Sequence, residues 1–481
     1  MHRSRRLLGL FLGLGALASL IALPGRTTAA PPRHIAATSS RDAGNTLTIM
    51  TNNLMAAGFT KASASSTNSV ASYYRYYQAL WNKRFPQLKI KEIQVQTMAD
   101  ETTKTILAVN AGNPPDLIGM DTEVGTLVAR KALMNLDDFY RRDHLTSGYY
   151  LPAMLDYARV NGHYYGIPGA SNPAIGDIIY VPQYVKAAGW DPNKIPRTWD
   201  ELWTAVQKVT TRDSKGNLTR IGLTVDAPSD DEINLFCGAF ATYDPKTTKF
   251  HANSPCIKDY FRYEKRLLDF YGGVAKYTKF FSGDPLVWSC SKKAYLPSGK
   301  EIFHIEAYWI GDQMDTCYPD QWAESWAPTP HGTLAEQRAV RTTAWEWGIP
   351  QGAKHAQLAF DFVKFTSGDY GYVAGPTTNG YTFANQGEQW AQTLIKTEGQ
   401  IRASHHYAGN PIVDAAKITI KGAQLGRVLR VTDAAGPYYD QQLTRAWQSI
   451  EYGRASVDQA LDQAQLLVDN KQRVLHAQAG T

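Results

Sequence analysis

Three groups of side chains in this chain of 481 residues could do chemistry. The first is carboxylates: Asp121, Glu123, Glu306 and Glu346. Hydrolysis of a glycosidic bond needs two of them flanking the bond, about 5–5.5 Å apart for retention or about 6.5–9.5 Å for inversion. The second group could hold a metal. Tandem tyrosines at 73–74, 76–77, 149–150, 164–165 and 438–439, with His405-His406, supply phenolate and imidazole. The third group is aromatic. Among 12 Trp and 27 Tyr, Trp309 ends a predicted strand, and Trp345 and Trp347 alternate with Glu346 on another. Flat aromatic walls with a few placed polar groups suit a small ligand such as a sugar.

The elements that must position these groups decide between the chemistries. Neighbouring residues point to opposite faces of a strand and diverge by about 100° on a helix, so most tandem tyrosines must pack rather than ligate. No eight-fold strand–helix progression, no Gly-x-Ser-x-Gly elbow and no GxxxxGK[ST] loop occurs, which weighs against a barrel hydrolase, a serine hydrolase and a phosphate-loop enzyme. A secreted glycoside hydrolase and a metal-capture protein stay as the alternatives. The leading reading is a binding protein with no catalytic residue, no cofactor and no metal.

The first thirty residues read as an export signal. Arg3, Arg5 and Arg6 precede the apolar run Leu7–Leu23, and Thr28-Ala-Ala30 offers a small-residue cleavage site. No cysteine near that site could accept a lipid anchor, which favours a periplasmic or secreted protein. No later run approaches the ~20 apolar residues of a membrane helix. Removing Arg3, Arg5, Arg6 and Arg26 takes four of the six net positive charges with no acid, leaving +2. The mature chain therefore lacks the basic stripe of a nucleic-acid binder. Cys237, Cys256, Cys290 and Cys317 are an even set in an exported chain, which argues for two disulfides with three connectivities open. Sequential pairing, 237–256 and 290–317, closes the shortest loops and is the expected one.

Along the chain, strands are predicted at Thr46–Met50, Leu88–Val95, Asp116–Met120, Ile178–Val181, Glu301–Trp309 and Ala344–Pro350. Helices are predicted at Tyr73–Phe85, Asp100–Asn110, Gly125–Ala132, Leu202–Val209, Tyr260–Tyr271, Ala356–Thr366, Tyr439–Tyr452 and Ser456–Gln472. Thr242–His251 reads as a hairpin. Asn161–Pro168 reads as a polar turn feeding a strand that stops at the proline. In Pro196-Arg-Thr-Trp-Asp-Glu-Leu202, Thr198 and Glu201 have capping-box spacing, as do Ser456 and Gln459. Strand–helix alternation implies layered α/β structure with a mainly parallel sheet, whose ligands bind beyond the carboxyl ends of strands. That singles out Asn52 after the first strand, and Asp121 and Glu123 after the third.

Five ordered blocks make the chain similar to family 1 extracellular solute-binding proteins. They are Leu47-Thr-Ile-Met50, Gly112-Asn-Pro-Pro-Asp-Leu117, Gly162–Pro168 with Pro196–Leu202, Glu306-Ala-Tyr-Trp309 with Ala327-Pro-Thr-Pro330, and Trp347-Gly-Ile-Pro-Gln-Gly352. The tail Tyr452–Ala460 is similar too. The resemblance implies a two-lobed periplasmic-binding-protein-like fold of type II, with three hinge crossings near 167–172, 336–342 and 375–381. It divides the chain into signal peptide 1–30, leader 31–45, lobe one 46–168 and 342–375, and lobe two 169–341 and 376–481. It implies a monomer that captures a carbohydrate, an oligosaccharide by expectation, and delivers it to the permease of an ABC importer. Trp309 matches the stacking tryptophan of related sugar binders, and Ser171 and Asn172 fall in the first hinge. Trp345 is preferred to Trp347 for the cleft, and Tyr407 is expected to contribute from the last third. Thr342-Thr-Ala-Trp345 stands where the family often has a glycine pair, so the ligand cannot be borrowed from better-known relatives.

Overall fold

The computed structural model describes residues 45–52, 82–95, 97–120, 124–145, 150, 152–172, 175–225, 227–238, 240–282, 291, 293–307, 314, 318, 321–332, 343–365 and 433–479. Two five-stranded sheets, each with its own hydrophobic core, organise these residues. The first contains β1 (Thr46–Asn52), β2 (Lys89–Val95), β3 (Leu117–Met120), β6 (Ile167–Asn172) and β14 (Thr343–Gly348) in the order β2-β1-β3-β14-β6. β1, β2 and β3 run parallel, while β14 is antiparallel to both its neighbours. Leu47, Ile49, Met50, Leu117 and Ile118 are buried, so the central strands are covered on both faces, as a parallel interior requires. The edge strand β2 instead alternates, with Lys89 and Lys91 exposed, which protects a free edge.

Between β3 and β6 lies a small hairpin of β4 (Arg159–Val160) and β5 (His163–Tyr164). Its two-residue loop, Asn161-Gly162, has φ of 52° and 84°, the left-handed pair that Asn-Gly adopts at least cost. The predicted stop at Pro168 is corrected here. The strand begins at Ile167 and runs through the proline to Asn172. β6 is the sheet's outermost strand, where a missing N–H costs no ladder bond on the open side.

The second sheet has the order β13-β7-β12-β9-β8. Its strands are β7 (Ile175–Tyr180), β8 (Thr211–Arg212), β9 (Leu218–Leu223), β12 (Glu301–Ala307) and β13 (Ala323–Trp326). A separate hairpin, β10 (Tyr243–Asp244) with β11 (Lys249–Phe250), occupies the predicted Thr242–His251 segment.

Several predicted helices recur with shifted ends, as α1 (Met98–Asn110), α2 (Trp199–Val209), α4 (Pro255–Phe270), α5 (Ala356–Lys364), α6 (Gly436–Glu451) and α7 (Val457–Ala479), and α3 (Asp230–Cys237) is a further one. Predicted Tyr73–Phe85 lies mostly outside the described residues. Thr198 caps α2 by accepting from Glu201 N at 3.2 Å. The Glu201 carboxylate reaches one residue past the predicted Thr198 N–H, to Arg197 N at 2.7 Å. The box at α7 is reciprocal: Ser456 Oγ accepts from Gln459 N, and Gln459 Oε1 from Ser456 N. α3, absent from the sequence reading, opens with a third box between Ser229 and Glu232.

Packing allots the later helices to different sheets. Phe360 and Phe362 of α5 join the first sheet's core with Ile167 and Trp347. Tyr439 and Trp447 of α6 and Leu461 and Val468 of α7 join the second sheet's core with Phe250 and Phe261. Gly222 lets α2 lie on β9: a Cβ there would sit 2.6 Å from Val206 Cα. Cys237, at the end of α3, is disulfide-bonded to Cys256 in the first turn of α4. This is one of the two expected sequential pairs, and Cys290 and Cys317 lie outside the described residues. No helix among the described residues is long and apolar enough to cross a membrane.

Candidate functional site

The register of the first sheet places four of the eight predicted residues, Asn52, Ser171, Asn172 and Trp345, at or beyond one row of strand ends. Asn52 is the last residue of β1 and pairs with Val95, the last of β2. Met120, the last of β3, pairs with Glu346, and Glu346 pairs with Pro168. Beyond that row, among the described residues, only β6 and β14 continue, with Ser171 opposite Ala344 and Asn172 opposite Thr343. Trp345 stands in the same overhang. Because Ala344 pairs with Ser171 but Glu346 with Pro168, two residues of β6, Gly169 and Ala170, oppose the single Trp345. Such a bulge bends the strand and increases its local twist.

Trp347 is only 3 % exposed, within the first core, so this tryptophan of the pair packs. Asp121, Glu123, Trp309 and Tyr407 lie outside the described residues. Asp121 and Glu123 follow the end of β3 directly, and Trp309 follows the end of β12 by two residues.

The second sheet presents a matching edge. β12 ends at Ala307 opposite Ile175, the first residue of β7, and β13 ends at Trp326 opposite Asp177. β9 ends nearby at Leu223, paired with Phe303. Asn172 of the first sheet and Ile175 of the second are three residues apart, so their Cα atoms lie within about 11 Å by chain length alone. The strand ends of the two sheets therefore approach one another at this crossing. Trp326, half-buried at that edge, is an aromatic residue the sequence reading did not single out. Its signal was the alternation Trp322-Ala323-Glu324-Ser325-Trp326 just ahead of Ala327-Pro-Thr-Pro330.

Polar anchors tie the elements of each sheet together, with Asp116 at the amino start of β3 and Glu301 at that of β12. Asp116, from the Gly112–Leu117 block, accepts from Thr48 N at 2.8 Å and from His355 N at 3.0 Å, tying β1, β3 and the start of α5. In the second lobe, buried Glu301 accepts from Thr224 N at 3.2 Å and lies 3.0 Å from His304 Nδ1. Thr224 Oγ1 also donates to Glu301. Among the described residues no group of three or more His, Cys, Asp or Glu side chains could hold a metal ion. What the register offers is two sheets whose strand ends come together where the chain passes from Asn172 to Ile175.

Comparisons with known proteins agree with that geometry. The fold is similar to that of a maltose-bound T. maritima protein, MalE3, at 14% identity over 88% of this chain and 99% of that one, with a TM-score of 0.65. It is similar to the maltose/maltodextrin-binding domain MalE of Bdellovibrio bacteriovorus bound to maltotriose, at 14% identity over 89% and 100%, with a TM-score of 0.62. It is also similar to the GacH receptor of Streptomyces glaucescens, whose complex with acarbose is known, at 17% identity over 89% and 98%, with a TM-score of 0.60. No curated protein sequence matches the chain. The profile described as "Bacterial extracellular solute-binding protein" matches residues 80–399, more than half of the sequence. The chain belongs to the bacterial extracellular solute-binding proteins, non-catalytic extracytoplasmic receptors with a two-domain α/β fold of the periplasmic-binding-protein type.

Proposed function

We propose that this protein is the capture component of an ABC importer and binds a carbohydrate, an oligosaccharide by its aromatic walls, between its two lobes. The observation that carries the reading is the meeting of two strand-end edges at the Asn172–Ile175 crossing. One edge carries Asn52, Ser171, Asn172 and Trp345, and the other is followed by Trp309. Tyr407 is assigned to the same cleft. Several proteins of similar fold hold maltose, maltotriose or mannotriose, which supports a sugar as cargo.

The lobes close about hinges near 167–172, 336–342 and 375–381, and closure is driven by ligand contacts that exist only in the closed form. Residues 1–30 act as a cleaved export signal and 31–45 as a leader, and the monomeric closed form docks on a membrane permease. A thermal-shift screen of the mature chain over mono- and oligosaccharides tests this. A true ligand at 100 times its Kd adds ~2.7 kcal/mol of stability. A transition moved by peptides or polyamines but by no sugar rejects the carbohydrate assignment.

A further inference from the structure

The second lobe gathers cations around the outer strand of its sheet. Residues 211–220 and 265–279 hold seven lysines and arginines against two aspartates, a net charge of +5. The whole chain after residue 30 totals only +2, so the rest of it is net negative. The two segments lie far apart in sequence, which is why the near-neutral total gave no sign of a basic surface. Arg212 lies on β8, Lys215 on the turn to β9, Arg266 on α4, and Lys276 and Lys279 on the short helix Val274–Phe280. All five are exposed. Contacts knit them together. Arg266 Cζ lies 3.9 Å from the centre of the Trp203 ring, that ring 5.5 Å from the Phe270 ring, and Arg212 Cζ 4.9 Å from the Phe270 centre. Arg212 Nη2 also donates to the Phe270 carbonyl. Lys279 Nζ donates to Asn217 Oδ1 at 3.3 Å, on the turn that carries Lys215. The Lys276 stem lies along Gly272, just past the end of α4.

The two aspartates within the patch are already engaged. Asp269 pairs with Lys265 at 2.6 Å. Asp213 turns back on its own loop, accepting from Lys215 N at 2.9 Å and Asn217 N at 2.8 Å. The five cations have no ion-pair partner among the described residues. Like charges held together repel, so an external anion relieves them. Arg212 and Arg266 are pinned against rings and lose little freedom on meeting one. Trp203 is nearly buried and Phe270 half-buried, so the patch offers no open aromatic platform for nucleic-acid bases. For an extracytoplasmic receptor the nearest extended polyanion is the membrane itself. We infer that this patch holds the second lobe against an anionic phospholipid surface. The attraction is one of charge, added cation by cation and fading within a Debye length, about 8 Å at physiological salt. The choice of a membrane rests on the receptor reading, whereas the cation cluster does not.

Sedimentation of the mature chain with phosphatidylcholine vesicles, with and without phosphatidylglycerol, tests the patch. The chain should bind the phosphatidylglycerol vesicles at about 0.15 M salt and leave them at about 1 M, where the Debye length falls to about 3 Å. It should ignore phosphatidylcholine alone. The variant Lys215→Gln/Lys276→Gln/Lys279→Gln should weaken binding roughly 10-fold or more, as the loss of three cations near the surface predicts. The variant Lys83→Gln/Lys89→Gln/Lys91→Gln removes the same charge from exposed positions on and before β2, and should change binding less than about 2-fold. Absence of binding at the lower salt, or equal weakening by both variants, overturns the inference. Tighter capture of duplex DNA than of vesicles, lost in the first variant, reassigns the patch to nucleic acid and overturns it too. The assay contains no sugar, so a chain that binds vesicles while no sugar stabilises it counts against the carbohydrate reading alone. Should the first variant not fold, Lys215→Gln on its exposed turn replaces it, with a loss of roughly 3–5-fold.

Discussion

The fully buried carboxylate of Glu346 lies over the backbone of Gly166, so close that a Cβ on the glycine would sit 2.5 Å from Glu346 Oε2. The same glycine carbonyl accepts from Tyr140 OH at 2.7 Å. Gly166 therefore has a packing reason to be glycine, since its φ is not in the left-handed range. Glu346 has no route to solvent, so Gly166→Ala should destabilise the first lobe by about 1–3 kcal/mol, the usual cost of overpacking. Gly222→Ala should cost more, because its Cβ would meet Val206 backbone rather than a side-chain end. Denaturant unfolding of the two variants checks the order, and a neutral Gly222→Ala would contradict the close approach of α2.

The disulfide Cys237–Cys256 closes a loop across a sequence separation of 19. For a loop of that length, chain entropy predicts about 3 kcal/mol of stabilisation. The joint variant Cys237→Ser/Cys256→Ser should lower stability by roughly that amount, and reductant should lower the wild-type melting temperature toward the variant's. Ligand-free thermal unfolding with and without reductant measures it. Equal melting temperatures in all conditions would show that the staple constrains nothing in the unfolded chain.

Much of the fold was legible because its signals are periodic. Leu47, Ile49 and Leu117 lie on strands buried on both faces, and Leu202, Val206 and Val209 recur at helical spacing. α3 escaped because its eight residues begin Asp230-Asp-Glu232, which reads as loop until Ser229 is recognised as a cap. The run through Pro168 could not be foreseen, since whether a strand tolerates proline depends on its being an edge. The candidate site was legible as strand ends, which local sequence marks. The bulge opposite Trp345 was not, because a bulge is a property of two paired strands and neither sequence shows it alone. Glu346 likewise seemed a candidate acid, and its full burial depends on Gly166 leaving room across the sheet.

Asp143 gives a pH dependence whose sign can be worked out. It accepts from Arg142 Nη2 at 2.9 Å and from Lys364 Nζ at 3.1 Å, joining α5 to the segment after Tyr140. The hydrogen bond from Arg142, only partly opposed by burial and aided by Lys364, holds its carboxyl below the usual carboxylate range. A depressed folded-state pKa stabilises the protein above the unfolded value, near pH 3.9, and is lost as pH falls through the lower folded value. Asp143→Asn should therefore cost ~0.5–1 kcal/mol at neutral pH, and the gap from wild type should narrow below about pH 4. Thermal unfolding from pH 3 to 7 reads it, and a gap that widens on acidification would reverse the assignment.

Trp345 and Trp347 separate binding from folding on one strand. Trp347 lies in the first core and is nearly without exposure, so Trp347→Ala should lose about 3–5 kcal/mol of stability, as large aromatic deletions from cores do. Trp345 stands one residue beyond Glu346, which pairs with Met120 at the end of β3, and is the tryptophan proposed for the cleft. Trp345→Ala should leave the ligand-free melting temperature near the wild-type value and weaken sugar binding at least 10-fold, about 1.4 kcal/mol. Calorimetric titration with whichever oligosaccharide shifts the wild-type transition, beside thermal unfolding of both variants, distinguishes the roles. A Trp345→Ala protein that binds as tightly as wild type but melts early would move this tryptophan from the cleft to the core.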